Sequence, residues 1–181
     1  MKKSSMENLG MKKILGLVVS LTAISAVCAS VLAYVNSVTA EPIKATKAAD
    51  EQKAVMAVMP DGVASVAEVS EGVFAGKDAS GKVLGYAAKG KDPGGYGGDI
   101  ELMVGFMADK TTVVRYRTLA ATETPGLGMK LNTPEFSDQF SGKKGSSLAV
   151  KQDGGDVEAI TSATITSRAV CRAIKDASRK L

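Results

Sequence analysis

The sequence predicts an α+β domain, with helices packed on a mostly antiparallel sheet, behind a single apolar N-terminal helix. One observation behind this prediction is an uncharged run of 22 residues near the start, over 14–35. The other is the order of the patterns that follow, because a helical pattern precedes several short β-type runs and a second helical pattern ends the chain. With 181 residues, the chain is long enough for one ordinary domain and an accessory segment.

Residues 14–35 are predicted to form a transmembrane helix, since a run of this length at ~1.5 Å per residue covers the ~30 Å hydrocarbon core of a bilayer. Lys12 and Lys13 directly precede the run, and an excess of positive charge marks the cytoplasmic end of a span. We therefore expect residues 1–13 in the cytoplasm and the C-terminal domain outside. The protein would be a single-pass protein of the cell membrane.

A cleaved signal peptide is the main alternative for this segment, with the small residues at 38–40 (VTA) as its cleavage site. The apolar run is longer than the ~7–15 residues usual for signal peptides, which favours the anchor. A lipoprotein signal at Cys28 fits less well, because the β-branched Val27 stands where a small residue belongs. We expect Cys28 to pack as a small hydrophobic residue.

Composition excludes several classes of site. Histidine is absent, which excludes Ser-His-Asp and Cys-His nucleophiles, His-ligated metals and imidazole proton transfer. The two cysteines, Cys28 and Cys171, are too few and too far apart for a thiolate cluster. We predict no catalytic side chain and no metal site.

The charge distribution argues against nucleic-acid binding. Residues 1–13 carry a net charge of +3, whereas residues 41–181 carry 19 basic and 18 acidic side chains. The folded part therefore has almost no basic surplus for a phosphate backbone, and aromatic residues make up only 4% of the chain. We predict no nucleic-acid partner.

After the span, residues 36–44 are polar and contain Pro42, so they are predicted to form a linker. The extracytoplasmic domain over 45–181 begins with a helix over 45–59, where Ala, Val and Met recur with Glu and Lys at helical spacing. The turn-forming residues at 60–62 (PDG) end this helix.

Five short runs in the middle of the domain have the composition of strands. The first two form a hairpin across turn residues, and the next two are rich in β-branched and aromatic residues. The predicted strands are residues 73–75, 83–88, 100–108, 112–119 and 148–151.

The chain ends with a predicted helix over 164–180, in which an apolar stripe lies opposite basic residues. Cationic side chains near its C-terminus suit the helix dipole. The phosphate loops GxGxxG after a strand and GxxxxGK[ST] are both missing from the sequence. A usual nucleotide-binding domain is therefore not predicted.

Three stretches stand out between these elements. Residues 90–98 (GKDPGGYGG) contain five glycines, which form either a solvent-exposed linker or a loop that approaches another group closely. Residues 123–128 (ETPGLG) form a rigid turn, which by itself is more often structural than functional. Residues 161–167 crowd five hydroxyls at the start of the last helix, either as redundant caps or as an anion site.

Taken together, these stretches resemble the FMN-binding domain found in the G subunit of the Rnf electron-transport complex, which is related to the C subunit of the sodium-pumping NADH:quinone reductase. The resemblance spans most of residues 65–175, in the same order, behind one N-terminal anchor. The matching segments are residues 95–98 (GYGG), 100–105 (IELMVG), 123–128 (ETPGLG), 136–140 (FSDQF) and 158–167 (EAITSATITS).

The resemblance implies that FMN is attached through its phosphate to a threonine, by a magnesium-dependent flavin transferase that uses FAD. The matching residue is Thr164, in Thr161-Ser162-Ala163-Thr164, where Ser162 replaces the glycine of the family. A family lysine near the flavin ring matches Lys151, whose cation would stabilise the negatively charged reduced flavin. The remaining expected cofactor-binding residues are Thr166, Glu123, Thr124, Gly126, Leu127, Gly128 and Tyr96.

The resemblance also implies a function. The chain would relay electrons through covalent FMN within an ion-translocating ferredoxin:NAD oxidoreductase, with the other membrane subunits and the flavin transferase as partners. One alternative is a stand-alone anchored FMN carrier that serves an extracytoplasmic reductase, and another is the related quinone-reductase subunit. A third is an anchored binding domain without flavin, in which the hydroxyl-rich stretch is only a helix cap.

Overall fold

The computed structural model describes the backbone of residues 2–181 and the side chains from residue 13 onward. The chain divides into two units, one ending at Ala48 and the other covering Ala49–Leu181. Helix α1, Lys2–Val58, supplies all of the first unit that is described. It contains a stretch long and apolar enough to cross a membrane once, with none of that stretch buried. A membrane would solvate these apolar side chains.

Residues 36–44, which the sequence predicts as a linker, are helical in the structure. Pro42 lies inside α1, although proline removes one backbone donor. The residues around it are rich in Ala, Glu and Lys, which are among the best helix formers. These preferences outweigh a single proline, and the helix predicted over 45–59 forms the last part of α1.

The second unit is built on a five-stranded sheet whose order follows the chain and whose neighbouring strands are all antiparallel. This sheet and its flanking helices confirm the predicted α+β class, including the hairpin and the two strands predicted after it. The strands are β1 Ser65–Ser70, β2 Val73–Lys77, β3 Val83–Asp92, β4 Ile100–Met107 and β5 Val113–Ala121. Strand β1 was not predicted, because this edge strand is mostly exposed and lacks apolar alternation.

Each face of the sheet carries a helix. Leu102 and Phe106 of β4 are fully buried in the core that includes Ile174 of the C-terminal helix α3, Thr164–Ser178. On the other face, Val58 at the end of α1 is buried with Met103. Strand β4 serves both cores because successive side chains point to opposite faces. Each fully buried aliphatic side chain contributes about 1.5–3 kcal/mol to folding.

Short helical turns connect β5 to α3 and include the one-turn helix α2, Pro134–Ser137. The 3₁₀ turns are Gly128–Asn132, Asp138–Phe140, Gly145–Ser147 and Lys151–Asp153. The Phe140 ring packs edge to face against the rings of Tyr116 and Phe136, with centroid distances of 5.5 and 5.3 Å. The Tyr116 hydroxyl donates a hydrogen bond to the Leu131 carbonyl. These contacts hold the connection against β5.

The strand predicted over 148–151 is wrong. Val150 forms a single bridge with Val157, and the chain turns at Gly154, whose φ is +80°. The Gly155 amide then donates back to the Val150 carbonyl at 3.1 Å. Lys151–Asp153 form a 3₁₀ turn, so no regular strand continues past Val150. The predicted C-terminal helix is confirmed, although it ends at Ser178.

Candidate functional site

A cavity of about 510 Å³ forms where three segments of the second unit meet. These segments are the glycine-rich loop between β3 and β4, the turn after β5 and the start of α3. Its volume lies within the ~300–1,000 Å³ range of small-molecule sites. The lining residues are Tyr96, Glu123, Thr124, Leu127, Gly128, Ser162, Ala163, Thr164, Ile165 and Thr166.

Glu123 is the residue that joins the three segments. The residue is 7% exposed, and its Oε1 accepts hydrogen bonds from the backbone N–H groups of Tyr96 at 2.9 Å and Gly97 at 3.4 Å. Its Oε2 accepts a hydrogen bond from the buried Thr166 hydroxyl at 2.9 Å. One side chain therefore holds the glycine-rich loop against the first turn of α3.

A second carboxylate anchors the start of the glycine-rich loop. The buried Asp92 at the end of β3 accepts two hydrogen bonds from the Arg172 guanidinium, both at 2.8 Å, and one from the Gly94 N–H at 2.9 Å. Burial alone would raise the pKa of Asp92, but the Arg172 and Gly94 hydrogen bonds hold it below its ordinary value. The loop is thus tied to α3 directly at its start, through Asp92 and Arg172, and indirectly at Tyr96 and Gly97, through Glu123.

The glycine-rich loop also requires a residue without a side chain at position 97. A Cβ at Gly97 would lie 2.6 Å from the carbonyl carbon of Thr122 and would overlap its oxygen. The loop therefore reaches the chain after β5 more closely than any side chain allows. This close approach brings Tyr96 to the cavity with 71% of the residue exposed.

The turn after β5 is closed by the Thr124 carbonyl, which accepts from the N–H groups of Leu127 and Met129, both at 3.2 Å. Gly126 has a φ of +76°, which favours glycine. The turn presents Leu127 to the cavity with 42% of the residue exposed.

The hydroxyl-rich stretch does not cap α3 in the way expected of redundant caps. Ala163 is the N-cap, with no side-chain cap bond among the described residues. The buried Ser167 hydroxyl instead accepts from the Ile160 N–H at 2.9 Å and donates to the Ala163 carbonyl at 3.0 Å. This leaves the half-buried Thr164 as the first residue of the helix, facing the cavity.

Backbone donors are available at this end of α3. Within the described part of the chain, the N–H groups of Thr164, Ile165 and Thr166 have no hydrogen-bond acceptor, since the next amide, Ser167, bonds to Ala163. Free amides and the helix dipole attract an anion. Tyr96, Leu127 and Ile165 add apolar surface to the lining, each with a large exposed fraction. The site therefore combines free backbone donors with apolar side chains.

The structure brings most of the predicted site residues to one cavity, and three lie outside its lining. Thr161 lines a neighbouring cavity of about 440 Å³, and Gly126 shapes its turn without lining the site. The Lys151 Nζ lies 2.7 Å from the Glu158 carboxylate. The hydrogen bond from this ammonium lowers the pKa of Glu158 below its ordinary value.

Ile165 and the Asp92–Arg172 pair were not among the residues predicted for the site. Ile165 belonged to the apolar stripe predicted for the C-terminal helix. Its position in the first turn of that helix is the feature of the sequence that could have placed it at the site. Nothing in the sequence pointed to the pair, because its members are 80 residues apart. A larger cavity of about 860 Å³ between Pro60 and Ser141 shares no lining residue with the candidate site, and none of the predicted residues reach it.

Comparison with known proteins places the chain in a family. Residues 95–179, from the glycine-rich loop through α3, match the FMN-binding domain. The G subunit of the ion-translocating oxidoreductase complex of Methanosarcina acetivorans is 32% identical over 176 residues, covering 92% of this chain and 93% of that protein. The G subunit of the Na⁺-translocating ferredoxin:NAD⁺ oxidoreductase complex of Acetobacterium woodii is 33% identical, covering 86% and 84%.

A crystal structure of the C subunit of the Na⁺-translocating NADH-quinone reductase from Parabacteroides distasonis is also similar. It is 27% identical, covers 59% of this chain and 58% of that chain, and has a TM-score of 0.47. The two relatives from Methanosarcina and Acetobacterium align over most of their own length and most of this chain. The protein therefore belongs to the G-subunit family of ion-translocating oxidoreductase complexes.

Proposed function

We propose that this protein is the membrane-anchored flavoprotein subunit of an Rnf-type ion-translocating ferredoxin:NAD oxidoreductase, and that it relays electrons through FMN held covalently at Thr164. Family membership supports the electron-carrying role. The observation that carries the proposal is the cavity at the start of α3. Thr164 lines this cavity, and no side chain of the described residues caps the helix there. The FMN would supply the redox chemistry, and the protein would supply its position and its electrostatic surroundings.

The start of α3 suits the phosphate of FMN. The first free amides of the helix and its dipole favour a negatively charged group beside Thr164. Attachment from FAD would form an ester between the Thr164 Oγ1 and the flavin-bearing phosphate, with release of AMP and of the hydroxyl proton. A flavin transferase would perform this step, so the chain itself needs no general base.

The apolar side chains of the lining suit the flavin ring. Tyr96, Leu127 and Ile165 contribute large exposed apolar surfaces around the cavity, and an aromatic side chain can stack on a flat ring. Thr124 and Gly128 also line the cavity. FMN would therefore lie with its phosphate at α3 and its ring toward Tyr96.

Replacing Thr164 tests the attachment. Thr164→Val keeps the β-branched shape and removes the hydroxyl, so we expect the protein, produced with the transferase, to lose flavin fluorescence in a denaturing gel. Thr161→Val is the matched control, because Thr161 is exposed and lines a different cavity; it should keep the fluorescence. A Thr164→Val protein that stays fluorescent would refute the assignment.

We also propose that residues 1–13 lie in the cytoplasm and residues 45–181 outside, with other membrane subunits of the complex as partners. The positive charges at Lys12 and Lys13 support this orientation. Protease added to the outer face of intact cells should digest the domain. A soluble mature chain that begins near Glu41 would instead support the signal-peptide alternative, and purification without other membrane subunits would support a stand-alone carrier.

A further inference from the structure

Resting on the proposed FMN site, we propose that the buried carboxylate of Glu123 lowers the midpoint potential of the bound flavin. Among the side chains that the structure describes, Glu123 is the one charged residue that lines the cavity. The charge facing the flavin would then be negative. The potential would be set by this charge more than by the lysine implied by the family resemblance.

The surroundings of Glu123 suit an ionised carboxylate. Three donors lie beside its oxygens: the amides of Tyr96 and Gly97 at Oε1 and the Thr166 hydroxyl at Oε2. An ionised carboxylate accepts at both oxygens, and these donors satisfy both. The neutral side chain of glutamine could accept from the two amides and donate to Thr166. Holding the loop therefore does not require a charge.

The carboxylate is fixed in place by glycine backbone. A Cβ at Gly95 would lie 2.8 Å from Oε1, and a Cβ at Gly128 would crowd Oε2. Gly128 itself lines the cavity beside Glu123. The carboxylate is thus packed between two bare backbone segments, in a residue that is almost completely shielded from water.

Two cations of the region are engaged elsewhere. The Lys151 ammonium pairs with Glu158 at 2.7 Å and lies outside the lining, and the Arg172 guanidinium pairs with Asp92. Among the described residues, no lysine or arginine forms an ion pair with Glu123, and its hydrogen bonds come from neutral donors. Coulomb interactions strengthen as the local dielectric constant falls, so a buried charge acts strongly on a neighbour.

A flavin gains negative charge when it takes up two electrons and one proton. A fixed carboxylate beside it raises the free energy of the reduced form more than that of the oxidised form, which lowers the midpoint potential. In this arrangement Glu123 makes the flavin a stronger reductant. The same side chain also positions Tyr96 through its backbone.

The test is a spectroelectrochemical titration of the full-length, flavin-loaded protein. Glu123→Gln keeps the volume and the acceptor for both amides while removing the charge, so we expect its midpoint potential to rise. An unchanged or lower potential in a folded, flavin-loaded variant would overturn the proposal. Glu123→Asp keeps the charge and should stay closer to the wild-type potential than Glu123→Gln.

Thr166→Val separates charge from structural disturbance. It removes a hydrogen bond to Oε2 and keeps the charge, so its potential should stay closer to the wild-type value than that of Glu123→Gln does. A rise in Thr166→Val as large as that in Glu123→Gln would show a general loosening of the site, and that result would overturn the proposal. If Glu123→Gln does not fold, Glu123→Met removes the charge at a similar side-chain length, and an unchanged or lower potential in that variant contradicts the charge effect.

The two proposals fail in different ways. Absence of flavin from the natively produced wild-type protein would remove the proposed function itself. Flavin present, with a potential that responds to neither substitution, would remove only the role of Glu123. Thermal unfolding of each variant, followed by circular dichroism, provides the measure of whether the fold is intact.

Discussion

The backbone at Ser162 predicts that replacement by glycine will stabilise the domain. Ser162 has a φ of +62°, in the left-handed region, where a residue with a Cβ costs about 1–2 kcal/mol. Glycine removes this cost but adds about 0.4–1 kcal/mol of unfolded-state entropy. The Ser162 hydroxyl forms no hydrogen bond with the residues that the structure describes. The expected net gain in the free energy of unfolding is therefore about 0–1.6 kcal/mol, with a central value of about 0.8 kcal/mol.

Thermal unfolding of the full-length protein in detergent measures this gain. Unfolding is followed by the near-ultraviolet circular dichroism of the tyrosines. A gain of this size should raise the Tm by about 2–4 °C in a domain of this length. Ser162→Ala is the control, since it removes the hydroxyl and keeps the Cβ that causes the strain. It should show no such rise.

The outcome that refutes the reasoning is a Ser162→Gly protein no more stable than Ser162→Ala. That result would show that the left-handed backbone is not strained, or that the hydroxyl has a role of its own. Ser162 directly precedes Ala163 and Thr164, so the same measurement bears on how the attachment residue is presented. Flavin loading should be retained in both variants.

Three other contacts lead to predictions of their own. Gly97→Ala should lower the free energy of unfolding by about 1–3 kcal/mol in urea denaturation, because its Cβ would overlap Thr122; wild-type stability would contradict the close approach. Asp92→Asn should cost about 1.5–3 kcal/mol at pH 7, because it removes the charge and one of the two Arg172 hydrogen bonds. The pKa of Asp92 is lowered in the folded protein, so this contribution is fully present above the unfolded value of about 3.9 and is lost as the pH falls through the folded value. A wild-type to variant difference that does not shrink as the pH falls below about 3.9 would contradict it. Lys151→Met should shift the flavin midpoint potential less than Glu123→Gln does, because its ammonium lies outside the cavity lining; a substantial drop would place the cation at the ring, as the family resemblance implies.

Local patterns predicted much of the fold. Periodicity and turn residues within a short stretch of sequence were enough to predict several elements. These elements are the apolar run over 14–35, the hairpin of β2 and β3, the strands β4 and β5 and the helix α3. The family motifs likewise identified most of the cavity lining. The predictions failed where local signals were weak, as at the exposed strand β1 and at the reversal around Gly154.

The sequence by itself shows the apolar span, the absence of histidine, the glycine-rich loop and the hydroxyl-rich stretch before the last helix. Their combination depends on the packing of distant segments. Packing joins Glu123 to Tyr96 and Thr166 across 27 and 43 positions, pairs Lys151 with a carboxylate outside the cavity, and places Ser162 at a positive φ. Periodicity reports which face a residue occupies, whereas ion pairs, buried hydrogen bonds and close backbone approaches form only where the tertiary fold brings remote segments together.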